Sequence, residues 1–450
     1  MTTAGNPRSL NLFSGSDSIM SRHPLNTRGI GIGSATSSSV LYGASAEEKV
    51  VLDIGACSLR AGFSGDSAPL YSSTMANTYS LVGDSYLHAL GSGTSASQRQ
   101  KPWSEVELVE QLREVYRRDL LVDARTRKVA VVEGALQPTA MRLAVARVLL
   151  SNLQVPHVSF YPASVAALMT TGQVTGLVVD CGHHCTTITP VYEACALAPY
   201  LSVTPLAGVA LFANLRALLK QHAGFIPHVA AESTIDIENV LTSQVVTHIM
   251  TRLLFASPIA TPMALRADLG AADRHGDELL EFFESSSACT AAPRTKLTVE
   301  SLKNGRGVLE WPSWIRERAT EVLFCGDLAA EHLGIADTVA QCIARVPVDT
   351  RRALISRILV IGGVADVPGF RPRLLHDIAT SLRCSSRWAA LADDAALVDY
   401  ATGGNAQVFA PSDRAWVGAS IATSAKIGAV EIGREEFDGH ALTDWTTIKQ

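Results

Sequence analysis

Residues 177–190 read LVVDCGHHCTTITP, and residues 50–63 read VVLDIGACSLRAGF. Both follow one pattern: an apolar run, Asp, any residue, Gly, three loop residues, then a second strand. A tight turn of this kind projects backbone N–H groups into its bend and can cradle an anion. The Asp closing each first strand, Asp53 or Asp180, offers the oxygen ligand that a hydrated divalent cation prefers. Two such hairpins facing each other would grip a phosphate chain and its metal from both sides.

The tip of the second hairpin invites other readings, because Cys181 and Cys185 bracket His183 and His184. Structural zinc needs about four ligands in a closed tetrahedron. These four lie too close together to encircle one ion, and side chains along a strand alternate in direction. A redox pair wants Cys-x-x-Cys at a helix start. Here the spacing is Cys-x-x-x-Cys and the residues that follow read as strand. A second phosphate-type hairpin with unusual residues at its tip is the reading that remains.

The chain has 450 residues, 47% hydrophobic and 18% charged, a globular composition with room for two or three domains. A net charge of -5 lacks the basic footprint of a nucleic-acid binder. Eight scattered cysteines suit reduced thiols in a cytosolic protein. No uninterrupted apolar run reaches the ~18 residues that a membrane-spanning helix requires. Residues 1–46 are rich in Ser, Gly and Thr, with Arg8, Arg22 and Arg28 against one acid, Asp17. Such a composition fits an organelle transit peptide or a disordered tail; the lack of a sustained amphipathic helix favours the tail.

Order is expected from Glu47, beginning with the first hairpin. Residues 70–102 read as a loop or small flap. Ser104 and Glu107 form a capping-box pattern ahead of Leu108, Val109, Leu112, Val115 and Tyr116 at helical spacing. Strands are expected at 127–136, 157–162, 176–181, 186–193 and 357–363. Helices are expected from Pro138 to about Leu153, from Ala163 to Met169, after Gly208, near 239–255 and after Trp314. Residues 270–310 read as polar and irregular. Strand–helix alternation of this sort argues an α/β fold. Trp311, Trp314 and Trp445 read either as partner anchors or, more commonly for single tryptophans, as ordinary core.

With these residues in hand, the two hairpins resemble the phosphate hairpins of actin and its relatives. ILVIGGVADVPGF (358–370) resembles that family's adenosine-contacting loop, and RAWVGAS (414–420) the start of its C-terminal helix. In order and spacing the match runs from Glu47 to the C-terminus. RDLLVDARTRKVAVVEGALQPTAMR, PASVAALMTTG, VPVDTRRAL and TDW (443–445) further resemble the divergent actin-related branch at the pointed end of dynactin. The resemblance implies a two-lobed α/β fold, duplicated ribonuclease-H-like domains around a nucleotide cleft. The first lobe would hold 47–169, with a shortened flap at 70–102, and the second 170–410. Residues 411–450 would return to the first lobe.

It also implies a ligand, ATP or ADP with Mg, and a set of residues around it. Asp53, Gly55, Asp180 and Gly182 keep the hairpin framework, and the two acids would hold Mg through water. The tips Ala56, Cys57 and Ser58, and His183, His184 and Cys185, would face the phosphates. Gly208 would flank the base, and Gly362, Gly363 and Val364 the adenosine. Arg60 stands where the family has a phosphate-contacting Lys, keeping the charge but not the geometry. Ala56 replaces a Ser whose hydroxyl meets the terminal phosphate, a loss of about 1 kcal/mol. His183 replaces an acid of the metal's water shell; it is either a tip residue with no special role or a His that gains charge beside phosphate. Ala163 and Thr187 replace the Gln and His that orient the attacking water, and phosphoryl transfer depends on such positioning. No catalytic residue is therefore expected, and nucleotide would be held but hydrolysed slowly or not at all.

The function the resemblance implies is structural. A shortened flap removes half of a head-to-tail interface, and such contacts propagate unless one face is changed. The chain would cap dynactin's short filament of actin-related subunits and actin, dock other pointed-end subunits, and support dynein-driven transport along microtubules in the cytoplasm and cytoskeleton. Two competing readings share the hairpins: a nuclear actin-related subunit of a chromatin-remodelling complex, and an ATPase of the sugar kinase and chaperone superfamily.

Overall fold

The computed structural model describes residues 48–74, 105–228, 237–258, 277–285, 292–301, 305–326, 332–398, 409–427 and 429–439. The tail at 1–46, Ser104 of the expected capping box and Trp445 with its TDW segment lie outside the described residues, as does most of the expected flap. The first sheet begins with β1 (Val50–Ile54), β2 (Ser58–Phe63) and β3 (Tyr71–Thr74). The flap reading of 70–102 is corrected at its start: Tyr71–Thr74 extends the first hairpin by pairing antiparallel with β2.

Helix α1 (Glu105–Val115) buries Leu108, Val109, Leu112 and Val115, the stripe its periodicity predicts. A wider helical turn at Tyr116–Leu120 continues it to Leu121 in the left-handed region. β4 (Val129–Glu133) precedes α2 (Thr139–Ala146), which continues through Arg147–Asn152. β5 (His157–Pro162) runs directly into α3 (Ala163–Met169). The strands order as β5-β4-β1-β2-β3, with β1, β4 and β5 parallel.

The second sheet repeats this plan. β6 (Gly176–Cys181) and β7 (Thr186–Tyr192) form a hairpin whose register sets Asp180 against Thr187. Helix α4 (Gly208–His222) follows. A later strand, Ile358–Ile361, lies parallel to β6 on the side away from β7, as β4 lies parallel to β1 away from β2. Helices α5 (Ile335–Arg345) and α6 (Phe370–Arg383) pack together, contributing Val339, Ile343, Leu374 and Ile378 to the main apolar core.

The stretch expected to be irregular, 270–310, is corrected. Within it are a helix at Asp277–Glu284 and a long antiparallel pair, Arg294–Ser301 with Gly305–Pro312. Trp311 and Trp314 are fully buried in the core here, so the reading of these two as partner anchors fails.

Helix α7 (Arg414–Ser424) packs against α3. Trp416 is 0% exposed and its indole N–H donates to the Val51 carbonyl at 3.0 Å. A methyl group at Gly418 would overlap the Ala166 carbonyl, so glycine permits the two helices to touch backbone to backbone. Glu431–Gly433 then joins the first sheet beside β5, with Glu431 paired to Lys49 and Lys128.

Candidate functional site

The two hairpins close by the same bond. Gly55 N–H donates to the Ser58 carbonyl at 2.8 Å, and Gly182 N–H to the Cys185 carbonyl at 3.2 Å. Among the described residues no protein acceptor takes the backbone N–H of Ala56, Cys57 or His183. These tips are thus able to receive an anion.

Asp53 and Asp180 end their strands close enough to perturb each other. Burial, and then the charge of Asp53, push the Asp180 carboxyl up to about 6, against the opposing pull of Arg60. Burial also raises Asp53, which Arg60 pulls back down. Two buried carboxylates that repel are a donor set a hydrated divalent cation would relieve, so the residues fit Mg. When bound, the cation would supply charge neutralisation for phosphates, held through water by Asp53 and Asp180. Among the described residues no group of three or more His, Cys, Asp and Glu side chains is placed to hold a metal ion. Burial pushes the Cys57 and Cys185 thiols up to about 12 and Cys181 higher still, which keeps them neutral.

Arg60 is engaged by carboxylates in the ligand-free protein. Its Nη1 donates to Asp53 Oδ2 at 3.2 Å and to Ser58 Oγ at 3.0 Å, and its Nε to Asp413 Oδ1 at 2.8 Å. The guanidinium is committed to carboxylates on both sides, so a phosphate reaching it must compete with them. A Lys has no such planar fork.

His183 stands at the tip of the second hairpin. Burial, then the neighbouring His184, lowers it to about 3 in the ligand-free chain. The two rings meet edge to face at 4.8 Å, and His184 is 5% exposed. His183 packs on Gly208, where a Cβ would lie 3.2 Å from its Nδ1. The N–H groups of Gly208 and Val209 donate to the carbonyls of Gly182 and His183 at 3.1 and 2.8 Å. Gly208 therefore brings α4 onto the second hairpin, and its own N–H is not available to a ligand.

Gly362 and Gly363 follow the strand beside β6. Gly362 has φ +93°, and a Cβ there would stand 2.8 Å from Asp180 Oδ1 and collide with the Cys181 carbonyl. Gly363 has open space where its side chain would be. The Val364 side chain is 5% exposed and belongs to the apolar core, so a contact from this residue to a ligand would come from its backbone.

Sequence reasoning missed a second acidic group at the site. Gly362 N–H donates to the Pro411 carbonyl at 3.1 Å, Asp366 bonds Ser412, and Asp413 holds Arg60. These partners lie some 350 residues from β2 in sequence, and no local pattern marks them.

The family model described as Actin matches residues 44–253 and 312–444. The chain belongs to the actin family. Its two matched hairpins and duplicated α/β sheets are an actin-like two-lobed fold, and the unmatched interval holds Arg294–Ser301 and most of its partner strand. Actin-fold proteins generally bind ATP or ADP with a divalent metal. No helix among the described residues is long and apolar enough to cross a membrane.

Proposed function

We propose that this actin-related chain is a structural subunit at the pointed end of dynactin's short filament, of the kind represented by actin-related proteins 10 and 11. In this role it caps the filament, contacts its actin-related and actin subunits, docks other pointed-end subunits and supports dynein-based transport in the cytoplasm. Nucleotide, on this reading, is a structural ligand and not a fuel.

One observation carries it: the metal-binding acids are kept while the water-positioning residues are gone. Asp53 and Asp180 lie close enough to repel, yet Thr187 stands opposite Asp180 and Ala163 opens α3 at the edge where β5 ends. Neither a methyl group nor a buried threonine replaces the side chains that orient a water for in-line attack. The shortness of the stretch between β3 and α1 in the sequence, and the branch-specific segments outside the cleft, support the pointed-end placement. The test is mass spectrometry of the native complex that contains this chain. Recovery of dynactin's filament and pointed-end subunits is expected; recovery of chromatin-remodelling subunits instead would overturn the placement.

A further inference from the structure

A concavity of about 490 Å³ lies on the first lobe, between the end of α1 and the loops that lead into β4 and β5. It is not the cleft. Val50 pairs with Val129 and Asp53 with Val132, so the loop before β4 sits at the edge where strands begin, and the acids sit where they end.

Its wall is basic on an acidic protein. Arg113, Arg117 and Arg125 line it against one acid, Asp123, a formal excess of two positive charges on a chain of net charge -5. Arg117 is held by Glu114 at 2.7 Å and Arg125 by Asp123 at 3.0 Å. Arg113 is exposed and makes no ion pair among the described residues. Tyr116, 4% exposed, forms part of the wall, and its hydroxyl has no hydrogen-bond partner among the described residues. A buried hydroxyl left unsatisfied is costly enough to need an explanation. Asn152 and Gln154 add amide groups, and Val122 and Leu153 add apolar surface. Leu121, next to Val122 in sequence, is 76% exposed with φ +54°, a conformation unusual for a bulky side chain.

We infer that this concavity is a docking site for an acidic peptide segment of a partner protein, one carrying an apolar side chain beside its carboxylates. The charge excess and the free Arg113 select a carboxylate. The side-chain amides suit a peptide backbone, and Val122 with Leu153 suits an apolar residue. Arg and Tyr are the residue types in which interface binding energy concentrates. A multiply charged phosphate fits less well, because Asp123 stands in the wall and Glu114 already holds Arg117. The inference goes beyond the pointed-end reading and stands whether or not that reading does.

The test uses the full chain on an array of eight-residue peptides in which Asp and Glu are interspersed with Leu, Phe and Ser, beside matched peptides with Asn and Gln. Acidic-apolar peptides should be retained over their neutral counterparts. The affinity of the best of them, read by fluorescence anisotropy, should fall at least ~10-fold in Arg113→Glu and several-fold in Tyr116→Phe. Arg118→Glu makes the same charge change on the same helix outside the concavity and should bind like the unaltered chain. No acidic preference, equal losses in Arg118→Glu and Arg113→Glu, or displacement of the peptide by phosphatidylserine vesicles would overturn the assignment.

Discussion

Arg60 sits between Asp53 and Asp413 with a side chain only 12% exposed. Removing one partner of a buried ion pair costs about 3–5 kcal/mol. Asp413 is 32% exposed, and water screens it in part, so Arg60→Ala should destabilise the ligand-free protein by about 2–3 kcal/mol. Denaturant unfolding measures this. Arg60→Lys should recover only part of the loss, since an ammonium cannot reach both carboxylates through a planar fork. His183 makes a pH-dependent contribution. Its folded pKa of about 3 lies below its usual 6.5, so the unfolded chain takes up the proton first. Stability is intact above about 6.5 and is lost as pH falls from there toward 3. His183→Gln should flatten that part of the curve of melting temperature against pH; a slope identical to the unaltered chain's would remove His183 from the account. The cleft's Asp-x-Gly turns were legible in the sequence, because a glycine after the acid is a local signal. The occupation of Arg60 by Asp413 was not, because that pairing exists only once the C-terminal helix has docked.

At the scale of elements, β5 and α3 coincide with their expected spans, since HVSFYP and the run after Ala163 change period abruptly. The pair Arg294–Ser301 and Gly305–Pro312 escaped because its first strand offers only Leu297 and Val299 as large buried apolar residues among polar ones. Their alternation is clear only once the partner strand is known. The wide turns at Tyr116–Leu120 and Arg147–Asn152 were likewise invisible, because a helix pattern does not report its bond spacing. Helix α7 carries the sharpest packing constraint. Gly418→Ala would drive a methyl into the backbone of α3, and backbone cannot rotate aside as a side chain can. The loss should reach or exceed the ~1–3 kcal/mol typical of overpacking, read as a lowered melting temperature. Gly363→Ala, which meets open space, should change it by less than about 0.5 kcal/mol.

For the whole molecule, duplication explains why the site exists. Each half of the chain supplies one hairpin, one acid and one parallel strand beside it. The two acids come close where the halves meet, and Gly362–Pro411 and Arg60–Asp413 tie the second half and the C-terminal segment to the two hairpins. Retention of the acids without the water-orienting side chains predicts a protein that binds Mg-nucleotide yet releases phosphate far more slowly than filamentous actin does; a malachite-green time course measures this directly. Family membership was legible because four motifs occur in order. The partner-facing surface was not, since it depends on residues brought together from separate loops.

The central claim is that Asp53 and Asp180 act on one hydrated cation. The most direct test is a double-mutant cycle of ATP affinity with and without Mg, by calorimetry, on Asp53→Asn, Asp180→Asn and the pair. Mg should strengthen ATP binding to the unaltered chain, each single change should remove most of this gain, and the double change should remove little more. No gain from Mg in the unaltered chain, or two losses that simply add, would contradict it.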